Sequence, residues 1–131
     1  MKTNRQLVAF LVFLLCLSSL FAQPPHWNLL GTKEVKFRTE RDVIIVGADE
    51  GVYKKIKLTV HNSGVHFKDM KVYFANGDVV DVEIRKVIPA GGETRIIDLP
   101  GNNRIITKVV FWYESTRVNS RRAIVRLYGG K

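Results

Sequence analysis

Two adjacent aromatics and a run of arginines are the residues in this chain best suited to hold a ligand. Trp112 and Tyr113 stand side by side, and Arg117, Arg121, Arg122 and Arg126 follow them. A flat ring beside guanidinium groups can stack on a sugar and grip an anionic substituent. Neighbours on a strand point to opposite faces, so one of the two rings is expected in the core and the other at the surface. Tyr53, Tyr73 and Tyr128 are further rings for such a platform. The competing role for the arginines is a charged edge that stops the last strands from pairing with other chains.

Other constellations are thinner. His61 and His66 flank Asn62-Ser63-Gly64 and are placed to face each other across a hairpin. A zinc site needs three or four ligands, and the only other histidine is His26. Asp49, Glu50, Asp69, Asp78 and Asp81 are scattered singly, without the alternating acidic loop that calcium favours. Asp81 and Glu83 share a strand parity, and two carboxyls are what a glycosidase requires; exposed acids opposite Lys or Arg give the same pattern. Arg95, Asp98 and Arg104 bracket the Leu99–Asn103 turn and read as a salt-bridged corner, with an anion clamp as the alternative. There is no Gly-x-Ser-x-Gly elbow. No catalytic constellation emerges, so the expectation is a non-enzymatic protein with no metal and no cofactor.

The elements that must position these residues follow a leader. Lys2 and Arg5 precede Leu7 to Ala22, a run without charge, and Gln23-Pro24-Pro25 follows. A basic start, an apolar run shorter than the roughly 20 residues of a membrane-spanning helix, and a small residue at its end make a secretory signal peptide. Residues 1–22 are expected to be removed after Ala22, with retention as an anchor as the alternative. The expected location is periplasmic or secreted. Cys16 is the only cysteine and lies in the leader, so residues 23–131 can form no disulfide. Those residues suit one domain with one core. Loss of Lys2 and Arg5 lowers the formal charge from +9 to +7, a surplus that favours anionic partners without demanding one. An envelope polymer or another envelope protein is the expected partner. Nucleic acid is not, because no recognition motif is present.

Past residue 25, apolar residues recur with period two between turn residues. Strands are expected over Trp27–Phe37, Asp42–Val46, Tyr53–His61, Val65–Ala75, Asp78–Ile88, Thr94–Leu99, Arg104–Glu114 and Ala123–Tyr128. The parity of Val65 and Phe67 is opposite to that of Met70, Val72 and Phe74, which predicts a bulge, or a break between two strands, near Lys68-Asp69. Asn76-Gly77 predicts a type I′ hairpin. Arg104–Glu114 is almost continuously apolar and reads as a central strand. About eight antiparallel strands in so short a chain predict an all-β, two-sheet sandwich of jelly-roll type.

The order of features also resembles a known group. It lies in Trp27-Asn-Leu-Leu-Gly31, Lys54–Val60, Val72-Tyr-Phe-Ala-Asn-Gly77, Gly92–Leu99, Gly101-Asn-Asn-Arg-Ile-Ile106 and Val109–Tyr113. These segments resemble a family of small exported bacterial β proteins classed as a domain of unknown function. The resemblance implies export and a β fold and supplies no catalytic residues. Some members carry two cysteines that this chain lacks. The sequence thus leads to an exported binding or structural domain of the envelope. A carbohydrate or anionic-polymer binder is the second reading, and a small hydrolase the third.

Overall fold

The computed structural model describes residues 26–35, 41–47, 51–116 and 122–131. The segment expected to be a leader, with Cys16, the loop acids Asp49 and Glu50, and Arg117 and Arg121 lie outside them. Eight strands follow one another: β1 (Trp27–Glu34), β2 (Arg41–Ile45), β3 (Lys55–His61), β4 (Val65–Phe74), β5 (Val79–Ile88), β6 (Ile97–Asp98), β7 (Ile106–Ser115) and β8 (Ile124–Gly130). They form two antiparallel sheets, ordered β1-β8-β3-β6 and β2-β7-β4-β5. The pairs β1·β8, β2·β7, β3·β6 and β4·β5 are those of one long hairpin wrapped on itself, which is the jelly roll.

The period-two pattern sets which residues meet between the sheets. Ile56, Leu58 and Val60 of β3 and Val125 and Leu127 of β8 face Phe67, Met70 and Val72 of β4 and Val109, Phe111 and Tyr113 of β7 across one buried cluster. Phe67 and Phe111 meet edge to face at 5.8 Å, and Phe111 and Tyr113 tilt together at 5.5 Å. Such contacts add to the area that large rings remove from water. β7 lies between β2 and β4, and the central position expected for it holds.

The Lys68-Asp69 slip is real: the register of β4 shifts between Phe67 and Asp69 against β5, and between Phe67 and Met70 against β7. The extra residue restores inward parity for Met70. Gly31 likewise follows a bulge in the β1–β8 pairing.

Three local expectations are corrected. The Asn76-Gly77 turn joins β4 to β5, but it is not type I′. Gly77 has φ +92°, whereas Asn76 is not among the positive-φ residues. Gly77 N–H donates to Phe74 O at 3.0 Å, and Phe74 N–H donates to Asp78 O at 2.9 Å. That is a three-residue loop, a type I turn closed by a left-handed glycine. The Asn62–Gly64 corner is not a hairpin: it carries the chain from β3 in one sheet to β4 in the other, with Asn62 at φ +72°. The strand expected over Thr94–Leu99 shrinks to Ile97–Asp98. Thr94 there turns inward, and its Oγ1 accepts from Leu58 N–H at 3.0 Å. Among the described residues, no helix is long and apolar enough to cross a membrane.

Candidate functional site

Parity and sheet assignment scatter the residues expected to form one ligand surface. Tyr113 points into the core, and its hydroxyl donates to Asp42 Oδ2 at 2.7 Å. Lys33 Nζ reaches the other oxygen of that carboxylate at 3.9 Å. Tyr53 is buried as well. Trp112 points outward from β7, half-buried on the outer face of the β2-β7-β4-β5 sheet. Arg126 points outward from β8 in the other sheet, on the opposite side of the sandwich. Arg122 precedes β8, with Nη1 3.6 Å from Glu34 Oε1. Trp112 and the described arginines of the cluster therefore do not share a surface, and Tyr113 is a core residue.

What surrounds Trp112 is a different set. Arg41 is its cross-strand partner on β2, with the guanidinium 6.0 Å from the indole centroid. On the β4–β5 side, Trp112 borders an open depression of about 400 Å³ lined also by Asp69, Lys71, Asp81, Val82, Glu83 and Arg85. The register explains this gathering: Lys71 lies opposite Asp81, and Asp69 opposite Glu83. Lys71 Nζ is 3.6 Å from Asp81 Oδ1, and Arg85 Nη2 is 3.3 Å from Glu83 Oε1. The β4 bulge places Asp69 on the outward face. Arg85, at φ +42°, interrupts the extended geometry of β5 beside it.

The depression thus offers one large apolar ring and a ring of alternating cations and carboxylates whose charges largely cancel. Donors and acceptors lie close together there on a rigid sheet. Sequence reasoning had singled out Trp112, Asp69, Asp81 and Glu83. It missed Arg41, Lys71 and Arg85, because cross-strand neighbours become visible only once the register is fixed.

The corner around Arg104 is the best-tied polar feature. Its Nη2 donates to Asp78 Oδ2 at 2.8 Å and to Asn76 Oδ1 at 3.2 Å, and its Nη1 donates to Pro100 O at 2.7 Å. The guanidinium sits 3.9 Å from the Phe74 ring centroid. The carboxylate at this corner is Asp78 of the β4–β5 turn, not Asp98. Arg95 instead donates from Nη2 to Glu83 O at 2.9 Å. Hydrogen bonds from Asn76 first and Arg104 second hold the Asp78 carboxyl below its ordinary pKa. This arrangement fastens the turn to the β6–β7 connection, and it consumes the groups an anion would need.

The histidines separate with their strands. His61 Nε2 lies 3.2 Å from Thr59 Oγ1 and 3.4 Å from Arg126 Nη1. His66 Nδ1 lies 3.8 Å from Glu114 Oε2 in the other sheet. Lys68 Nζ reaches Glu114 Oε1 at 2.7 Å, and its hydrogen bond lowers the Glu114 pKa. No group of three or more His, Cys, Asp or Glu able to hold a metal occurs among the described residues.

No curated protein matches the sequence. Among solved structures, Pseudomonas aeruginosa AlgX superposes with a TM-score of 0.50 at 13% identity, over 79% of this chain and 26% of that one. This chain therefore spans about a quarter of AlgX, and the likeness is one of fold. The SPBc2 prophage-derived protein YomS matches at TM-score 0.40 and 13% identity, over 82% of this chain and 94% of that one. The family described as a domain of unknown function, DUF2541, matches residues 8–129, and with nearly the whole sequence inside that match the chain belongs to this family.

Proposed function

We propose that this domain is an exported, non-enzymatic binding module of the cell envelope that seats a sugar ring against Trp112. The observation that carries the reading is the depression beside that indole. Its volume, about 400 Å³, lies in the range of small-ligand clefts, and it sets one aromatic wall among charged side chains. A pyranose has an apolar C–H face for the indole and hydroxyls around its rim. Each hydroxyl both donates and accepts, which suits a border where Lys71 and Arg85 alternate with Asp81 and Glu83. Because these charges largely offset one another, the site favours a neutral sugar over a strongly anionic one. The basic, charge-free and small segments of the leader support the exported location.

The test is a fluorescence titration in a Trp27→Phe background, where Trp112 is the only tryptophan. The probes are neutral gluco-, chito- and malto-oligosaccharides. A saturable change in Trp112 emission with at least one of them, abolished as binding by Trp112→Ala in calorimetry, is expected. An emission that responds to none of the three series, or binding that survives Trp112→Ala, would remove the reading.

A further inference from the structure

The opposite face of the sandwich, on the β1-β8-β3-β6 sheet, has a different chemistry. The register stacks its outward residues in rows: Trp27, Gly130, Lys55 and Asp98; then Leu29, Tyr128 and Lys57; then Thr32, Arg126, Thr59 and Glu93. Each row carries one cation, and successive rows are about 7 Å apart, two residues along a strand. Lys55, Lys57 and Arg126 therefore form a ladder of three cationic residues, one to a row, with Asp98 opposite Lys55 and Glu93 in the row of Arg126.

The partners of these cations matter. Lys57 Nζ meets Glu93 at the rim at 3.3 Å. Among the described residues no carboxylate pairs with Lys55 or with Arg126. Lys55 Nζ lies 5.3 Å from the Trp27 ring centroid, and Lys57 Nζ lies 4.4 Å from the same centroid. One indole thus gathers two ammonium groups. Arg126 faces the His61 imidazole at 3.4 Å, a much weaker partner than a carboxylate. Tyr128 lies half-buried among them, flat surface in the middle of the ladder.

We infer that this face is a second binding surface, for an acidic polysaccharide. Carboxylates recurring along such a polymer would meet Lys55 and Arg126, and a sugar ring would lie on Tyr128. The charge pattern is the argument: a cation on each successive row, two of them in no ion pair among the described residues although Asp98 and Glu93 share their rows, on a surface whose aromatic ring a ring-less polyanion could not use. The inference is independent of the neutral-sugar reading, since Trp112 is on the other sheet.

The experiment uses the protein purified after expression with its own leader. Retention is measured on immobilised polygalacturonate, on immobilised dextran, and on vesicles containing phosphatidylglycerol, each at low and high salt. Retention on polygalacturonate that weakens with salt is expected. Lys55→Gln with Arg126→Gln should weaken it about tenfold, two ion pairs lost at a solvent-exposed surface. Lys86→Gln with Lys108→Gln removes the same charge from the other sheet and should leave retention unchanged, as should Trp112→Ala. Equal weakening by the two double variants would reduce the effect to net charge and overturn the inference. Retention on the vesicles in place of polygalacturonate, or on neither, would overturn it as well.

Discussion

Gly129 and Gly130 are consecutive, yet they open space on opposite sides of one sheet, and replacing each by alanine separates core from surface. A Cβ at Gly129 would lie 2.6 and 2.8 Å from two atoms of the Tyr53 ring and 2.9 Å from Leu30 Cδ1. Ordinary carbon contacts are about 3.5–4.0 Å, so the ring would have to retreat by about 1 Å. It is not free to do so. Tyr53 is buried, its hydroxyl accepts from Asn28 Nδ2 at 3.0 Å, and its backbone exchanges two 2.9 Å hydrogen bonds with Arg104. Overpacking of this kind costs about 1–3 kcal/mol, and the stiffer unfolded chain returns about 0.4–1 kcal/mol. Gly129→Ala should therefore destabilise by about 1–2 kcal/mol, a fall in Tm of about 4–8 °C for a domain of this size.

At Gly130 the close atoms are Lys55 Cγ and Cε at 2.8 Å and Trp27 Cζ3 at 3.0 Å. These side chains lie at the surface and can swing outward. Gly130→Ala should change stability by no more than about 0.5 kcal/mol. It should shift Trp27 emission, because the indole loses its seat. The assay is thermal and urea unfolding followed by far-ultraviolet circular dichroism, with emission spectra of the folded proteins in a Trp112→Phe background. A Gly129→Ala protein as stable as the parent, or less affected than Gly130→Ala, would refute the packing argument.

Two further outcomes follow from the polar contacts. Tyr113→Phe keeps the ring in the core but removes the 2.7 Å bond to Asp42, whose side chain is largely covered; about 1–2 kcal/mol should be lost, and an unchanged urea midpoint would show that the bond contributes nothing. Asp78 has its pKa lowered in the fold by Asn76 and then Arg104, so its contribution to stability is present above the unfolded value of about 4 and lost as pH falls through the lowered value. The Tm of Asp78→Asn should accordingly lie below that of the parent at neutral pH and converge with it in acid; a gap independent of pH would mean that the carboxylate's charge is irrelevant.

The strand plan was legible because burial on one face writes itself as alternation, as in Lys55–His61, where every second residue is buried. The bulge at Lys68-Asp69 showed itself as a break in parity before any pairing was known. Turn chemistry was less legible: Asn-Gly permits positive φ at both residues, but the Asn76 side chain takes the Asp78 backbone N–H at 3.0 Å and its amide donates to the Asp78 carboxylate at 2.9 Å. That local bonding goes with a longer loop. The site was legible only in part, since Trp112 could be assigned outward only by knowing that Tyr113 is inward. Partners such as Lys71 and Arg41 come from strands remote in sequence. Arg126 was recognised as a candidate, but its companions Trp27, Lys55 and Lys57 are joined to it solely by the order of strands in the sheet.

That order has a consequence for how the molecule comes into being. β1 and β3 do not touch each other in their sheet; both wait for β8, just as β2 and β4 wait for β7. A polypeptide still emerging from its source can zip β4 to β5 and, once β7 follows, complete the β2-β7-β4-β5 sheet, but β1 and β3 stay unjoined until residues 124–130 arrive. Closure is then a late event gathering distant segments, slow by the rule that remote pairings delay folding.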